Sequence, residues 1–264
     1  MGYTHPSHPN HKLVLTKSIN PYICDGCKET GVGESYRCEE CNFDLHKYCM
    51  FNKQNTHHDF YGSCTFKFFD HPPRTPSNKC GRYCNSCGKT VKGFVYHCKD
   101  KDLDLHPCCR NLPGKLEIDK VEFALRDNEL KKKCHWCKKK KLEGSDCGGW
   151  SYVSKCEKYR YHVYCITEMM VEELKKGQRK MKVLEEFKNE SKNNNNYDDD
   201  DTSSGLAVAL KNRKLPIEGD RHRRRSGKKK YITIAMKFFK AIACILLGDP
   251  GASLICLLVE QLAN

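Results

Sequence analysis

The sequence predicts small α+β modules in tandem, stapled by metal ions, then a disordered linker and a helical C-terminal tail. Three observations carry this. The 264 residues include 19 cysteines and 12 histidines, a density that makes the cysteines structural. Hydrophobic residues are 38% and charged residues 30%, which is lean for one large core and argues against a single well-buried enzyme fold. The third observation is an internal repeat. His11, Cys24, Cys27, Cys38, His46 and Cys49 recur as His71, Cys84, Cys87, Cys98, His106 and Cys109, each displaced by 60 residues. Gly33, Tyr36, Asp44 and Leu45 recur in the same register as Gly93, Tyr96, Asp104 and Leu105.

Residues Met1 to Leu15 contain no apolar stretch of the kind a secretory signal requires. The expectation is an intracellular chain with reduced thiols, in which paired cysteines hold zinc. The first copy offers His11, Cys24, Cys27, Cys38, Cys41, His46 and Cys49, followed by His57 and His58. That is enough for two tetrahedral ions. A Cys-x2-Cys knuckle lets two thiolates grip one ion from a tight turn, and four Cys/His ligands leave no open position for a substrate water.

The run PYICDGCKETGVGESYRCEECNFDLHKYC and its second-copy counterpart GFVYHCKDKDLDLHPCCRNLP resemble the protein-kinase-C-type cysteine-rich (C1) domain. They are closer still to the divergent C1 family of plants, and the resemblance extends over residues 8–175. It implies small zinc-stabilised fingers, each of short β-hairpins plus a short helix. It also implies interleaved ligation, with Cys24, Cys27, His46 and Cys49 on one zinc and His11, Cys38, Cys41 and His58 (or His57) on the other. Structural zinc of this kind contributes roughly 10–16 kcal/mol per ion to folding.

The second copy has a complete set in Cys84, Cys87, His106 and Cys109, but Lys101 stands where Cys41 stands in the first. His71 and Cys98 are left as weak candidates, with Cys80 and Cys108 as spare thiols. The third copy offers Cys134, Cys137, His162 and Cys165, with Cys156 as a weak candidate and Cys147 left over. About four Zn2+ ions are expected. The implied divisions are a first repeat over 8–60 with two zinc sites, a second over 68–118 with one and a degenerate third over 122–175 with one. A helix over 176–190, a linker over 191–230 and an apolar helical tail over 231–264 follow. Gly33 and Gly93 are read as left-handed turns, and residues 166–190 as a solvent-facing helix.

Net charge is 47 − 33 = +14. The basic excess gathers in the tail, where Arg221, Arg223, Arg224, Arg225, Lys228, Lys229 and Lys230 precede two apolar segments flanking Gly248-Asp249-Pro250-Gly251. Pro250 breaks a continuous helix, and each half is too short to span a bilayer. Three readings stay open for this tail: binding at an anionic membrane surface, a nuclear signal with a partner-binding helix, and a helical hairpin packed on the third repeat. The run KKKCHWCKKKK is read as a solvated loop around a knuckle, with Trp136 covering the metal.

The function expected from this sequence is non-catalytic: a zinc-binding scaffold or adaptor in signalling or trafficking, with an unidentified protein partner. The chain is placed in the cytoplasm with peripheral membrane or nuclear association. A nuclear finger for chromatin or nucleic acid is the alternative. Basic charge supplies phosphate affinity, but no base-reading module accompanies it, so nucleic acid is disfavoured. Diacylglycerol is disfavoured too, because the segments between the second and third cysteines are short and the first is polar. Thiol–disulfide exchange through Cys84-Asn85-Ser86-Cys87 is the least favoured reading, since no βαβ pattern surrounds the motif.

Overall fold

The computed structural model describes residues 2–75, 81–142, 148–169, 171–172, 175, 234–235, 237–239, 241–242 and 244–247. These form three antiparallel four-stranded sheets, one per repeat. The first contains β1 (Gly2–His5), β2 (His8–Ile23), β3 (Thr30–Cys38) and β4 (Phe43–Leu45), paired in chain order. The second contains β5 (Asn55–Thr56), β6 (Phe66–Phe69), β7 (Val95–Cys98) and β8 (Leu103–Leu105), and the third β9 (Lys115–Ile118), β10 (Val121–Arg126), β11 (Ser151–Ser154) and β12 (Arg160–His162). A short helical segment closes each module: α1 (Lys47–Met50), a 3-10 turn over Cys109–Asn111, and helical residues from 163 to 169.

The same strand register recurs. Tyr36 pairs with Leu15 on one side and Leu45 on the other; Tyr96 pairs with Phe68 and Leu105; Tyr152 pairs with Leu125 and Tyr161. Two residues before Leu15, Phe68 and Leu125 stand Leu13, Phe66 and Phe123, all fully buried, as period-two alternation requires.

The modules dock in series. Phe94 donates its backbone N–H to the Gly26 carbonyl at 2.9 Å, and Trp150 donates to Ser86 at 2.7 Å. Gly26 and Ser86 lie inside the Cys-x2-Cys knuckles, so each module leans the start of a strand on the preceding knuckle. Gly33 has φ +82°, the left-handed turn read from the sequence. Gly93 does not. It is needed for space, because a Cβ there would run into the Gly26 carbonyl oxygen.

The tail lies against this array. Its described residues from 234 to 246 are helical, and Phe238, Ile242 and Leu247 are fully buried. Phe238 stacks on Phe123 at 4.3 Å and meets Tyr152 edge-on, while Phe239 meets Tyr161. Leu247 accepts a backbone hydrogen bond from Val32 of the first module at 3.1 Å. The tail thus reaches the third and first modules together. The stretch from 166 differs from its solvent-facing expectation: Ile166 is fully buried and Thr167 nearly so. The expected helix over 176–190, the linker over 191–230, the basic residues Arg221, Arg223, Arg224, Arg225, Lys228, Lys229 and Lys230, and the second apolar half of the tail lie outside the described residues.

Candidate metal centres

Each knuckle is built the same way. A tight turn follows the first cysteine, with Lys28 donating to Cys24, Gly88 to Cys84 and Lys138 to Cys134 at 2.8–3.1 Å. The residue after the second cysteine takes positive φ at Lys28, Gly88 and Lys138, which turns the chain back so that both sulfurs face one point. The strand after the hairpin delivers the histidine, and the helical segment delivers the last cysteine three residues on. The results are Cys24–Cys27–His46–Cys49, Cys84–Cys87–His106–Cys109 and Cys134–Cys137–His162–Cys165, with the ligand atoms of each cluster within 4.8 Å of one another.

In all three clusters the histidine presents Nδ1. It lies 3.3 Å from Cys27 Sγ, 3.4 Å from Cys87 Sγ and 3.4 Å from Cys137 Sγ. Such distances fit adjacent corners of a tetrahedron around one ion with ordinary Zn–S and Zn–N bonds. Backbone N–H groups of His46 and His106 donate to Cys24 and Cys84 at 3.4 Å, stabilising thiolate. The outer nitrogen of His162 meets the Lys140 carbonyl at 3.2 Å, and that of His106 faces Glu29 of the first module at 3.6 Å.

In each cluster one thiol is held down while a neighbouring thiol is held up. Burial pushes the Cys24 thiol up, but hydrogen bonds from Cys27 and Cys49 and the charge of His46 hold it well below its usual range. Burial likewise opposes a low Cys84, which Cys109, Cys87 and His106 enforce. Cys134 is drawn down to about 3, chiefly by the hydrogen bond from Cys165, with burial opposing. Thiolates packed against imidazole in a dry pocket suit Zn2+, and binding it expels the remaining protons.

A fourth cluster lies on the first module's hairpin: His8, His11, Cys38 and Cys41. His11 Nδ1 is 3.0 Å from Cys41 Sγ, and His8 stacks on Phe43 at 4.5 Å. This is the open cluster, with Cys41 exposed and both histidines partly so. His8 occupies the position expected of His57 or His58, because β2 carries both of its histidines alongside β3. His57 Nδ1 meets the Cys64 carbonyl at 3.1 Å. His58 is buried between modules, bonded to the Leu112 carbonyl at 3.0 Å and packed on Trp150 at 4.9 Å.

Strand register also corrects the weak candidates. Four residues before Leu15, Phe68 and Leu125 stand His11, Cys64 and Val121. Cys64 therefore takes the place of His11, and His71 does not. The His71 ring is exposed and pairs with Asp70 at 3.2 Å. Cys98 is fully buried and holds the position of Cys38, with Cys64 as its neighbour. In the third module Ser154 precedes His162 by the same eight residues that separate Cys38 from His46. Cys156 is exposed and lies 3.4 Å from Ser154 Oγ.

His97, Asp102 and Asp104 also converge. There the cation is already supplied, since Arg82 Nη1 lies 2.8 Å from both carboxylates. Trp136 is 39% exposed, so it does not seal the third knuckle.

Residues 6–50 match the family described as C1 domain. The first module carries the C1 signature. Over 49 residues the chain is 47% identical to a protein from Arabidopsis thaliana named "Probable nucleoredoxin 1". The match covers 19% of this chain and 8% of that protein, so it is a likeness between C1-type segments alone. No solved structure matches the chain. The other two modules repeat the C1-type strand register and Cys/His clusters of the first.

Proposed function

We propose that the chain is a non-catalytic, zinc-stabilised C1-type scaffold that binds protein partners. The observation that carries this is the closure of every knuckle cluster by four protein ligands, three of them sulfur. A closed Cys/His shell supplies folding energy and leaves no coordination position for a substrate. The knuckle cysteines are engaged with histidine at fixed geometry, which takes them out of thiol–disulfide exchange.

Other features support the same reading. The segment between Cys27 and Cys38 is paired by β2 and β4, and its Val32 is covered by the tail. That leaves no splayed apolar loop for a lipid messenger. No described helix is long and apolar enough to cross a membrane. The described part of the tail spends its apolar face on Phe123, Tyr152 and Tyr161, which favours intramolecular packing over an anionic bilayer. Exposed Trp136 and the exposed lysines on either side of its knuckle offer a cationic surface to an acidic partner.

The test compares the zinc-loaded chain with Cys84→Ser in insulin reduction and in affinity capture. The scaffold reading expects background reductase activity in both and partners that depend on loaded zinc. Reductase activity that appears in the loaded chain and vanishes in Cys84→Ser would make the chain an oxidoreductase.

A further inference from the structure

We propose that Cys64 and Cys98 form a reversible disulfide that takes over, in the second module, the place of the hairpin zinc of the first. The pair occupies two of the positions held there by His11 and Cys38, while Lys101 replaces Cys41. Among the described residues no third Cys or His joins them within ligand distance. Among those residues the two buried thiols have no Cys or His partner but each other.

Geometry favours the bond. The pairing of Lys67 with His97 sets Phe66 opposite Cys98. Cys64 lies two residues before Phe66, at the entry to β6. Cys64 is 1% exposed and Cys98 is fully buried, and the two thiols are near enough to interact. Burial and the neighbouring Cys98 push the Cys64 thiol up, and the Lys101 ammonium, 3.4 Å from Ser63 Oγ, opposes them only in part. The other buried cysteines of this module, Cys84, Cys87 and Cys109, are committed to the knuckle cluster, and Cys108 lies beside His46 of the first module.

The oxidant is a small hydroperoxide, since both sulfurs are shielded from bulky disulfides. The Cys64 thiolate attacks the terminal peroxide oxygen, forming an S–O bond as the O–O bond breaks. The leaving hydroxide takes up the proton shed by the thiol and departs as water. Cys98 sulfur then attacks the Cys64 sulfenic acid; its own proton leaves with the displaced hydroxyl as a second water. Two thiols give up two electrons, and one hydrogen peroxide becomes two waters. The product joins the approach to β6 with the end of β7, as a metal joins β2 and β3 in the first module.

The experiment treats the zinc-loaded full chain with graded hydrogen peroxide, blocks free thiols with N-ethylmaleimide, and maps non-reduced peptides by mass spectrometry while zinc is counted. The Cys64–Cys98 linked peptide should appear first, at doses that release no zinc, and return to free thiols with dithiothreitol. Cys64→Ser and Cys98→Ser should each abolish it. If either variant fails to fold, the wild-type map decides alone. The proposal is overturned if zinc-cluster cysteines oxidise first, if both thiols are recovered alkylated at doses that oxidise exposed Cys41, or if untreated protein carries a further zinc lost in Cys98→Ser.

Discussion

Trp150 donates its backbone N–H to the Ser86 carbonyl at 2.7 Å, repeating the contact by which Phe94 docks on Gly26. The array is therefore built by one rule applied twice: a strand start rests on the preceding knuckle, and a glycine before it allows the approach. At Gly93 a Cβ would collide with the Gly26 carbonyl, whose position is fixed by the knuckle turn. Gly93→Ala is expected to cost about 1–3 kcal/mol, the usual range for forced overpacking. The urea midpoint should fall while the zinc content stays unchanged. An unaltered midpoint would show that the modules do not depend on this contact.

The tail contributes to the core. Phe238 is fully buried between Phe123, Tyr152 and Tyr161. Phe238→Ala should destabilise by about 3–5 kcal/mol, as truncation of a buried aromatic does, and should free the tail for limited trypsinolysis. The neighbouring ion pair between Lys237 and Asp119, at 2.8 Å but half-exposed, should matter little. Lys237→Ala is expected to cost at most about 1 kcal/mol. Equal protease sensitivity in both variants would contradict the packed arrangement.

The knuckle clusters were legible because their ligands lie close in sequence. A turn, a strand end and a helical segment fix four side chains, and an offset of 60 repeats them. The first hairpin cluster was legible for His11, Cys38 and Cys41 but not for its fourth ligand, and the second was not legible, because strand pairing sets their membership. His8 joins only because β2 lies along β3, and Cys64 replaces His11 only because β6 enters the second sheet seven residues earlier than the linear repeat implies. The identity of β6 was hidden by His71, a residue in the right linear position and the wrong place in space. Composition likewise left the tail open among three readings, since its apolar face suits a bilayer as well as Phe123 and Tyr161.

Zinc counting distinguishes the two assignments in the first module. His8 belongs to the hairpin cluster, and His58 bonds the Leu112 carbonyl. With four Cys/His clusters among the described residues, His8→Ala should surrender one zinc to a mild chelator and keep three. His58→Ala should keep all four and lose about 1–3 kcal/mol of stability. Inductively coupled plasma mass spectrometry after chelator dialysis reads both. Zinc loss in His58→Ala with retention in His8→Ala would restore the arrangement expected from the family pattern.

His58 also makes module docking sensitive to acid. Burial lowers its pKa below the ordinary 6.5, and the hydrogen bond to Leu112 opposes this only in part. The unfolded chain therefore binds this proton more readily than the folded one. By linkage, the contribution of His58 is fully present above 6.5 and is lost as the pH falls from there through the lower folded value. Wild type should accordingly lose more stability than His58→Gln between pH 7.5 and 5.5, in urea titrations with zinc in excess so that proton competition at the clusters is common to both. The glutamine amide can still donate to the Leu112 carbonyl but cannot titrate. Parallel pH profiles would mean that the imidazole keeps its ordinary affinity for protons in the folded chain, and that the acid response comes from the zinc clusters alone.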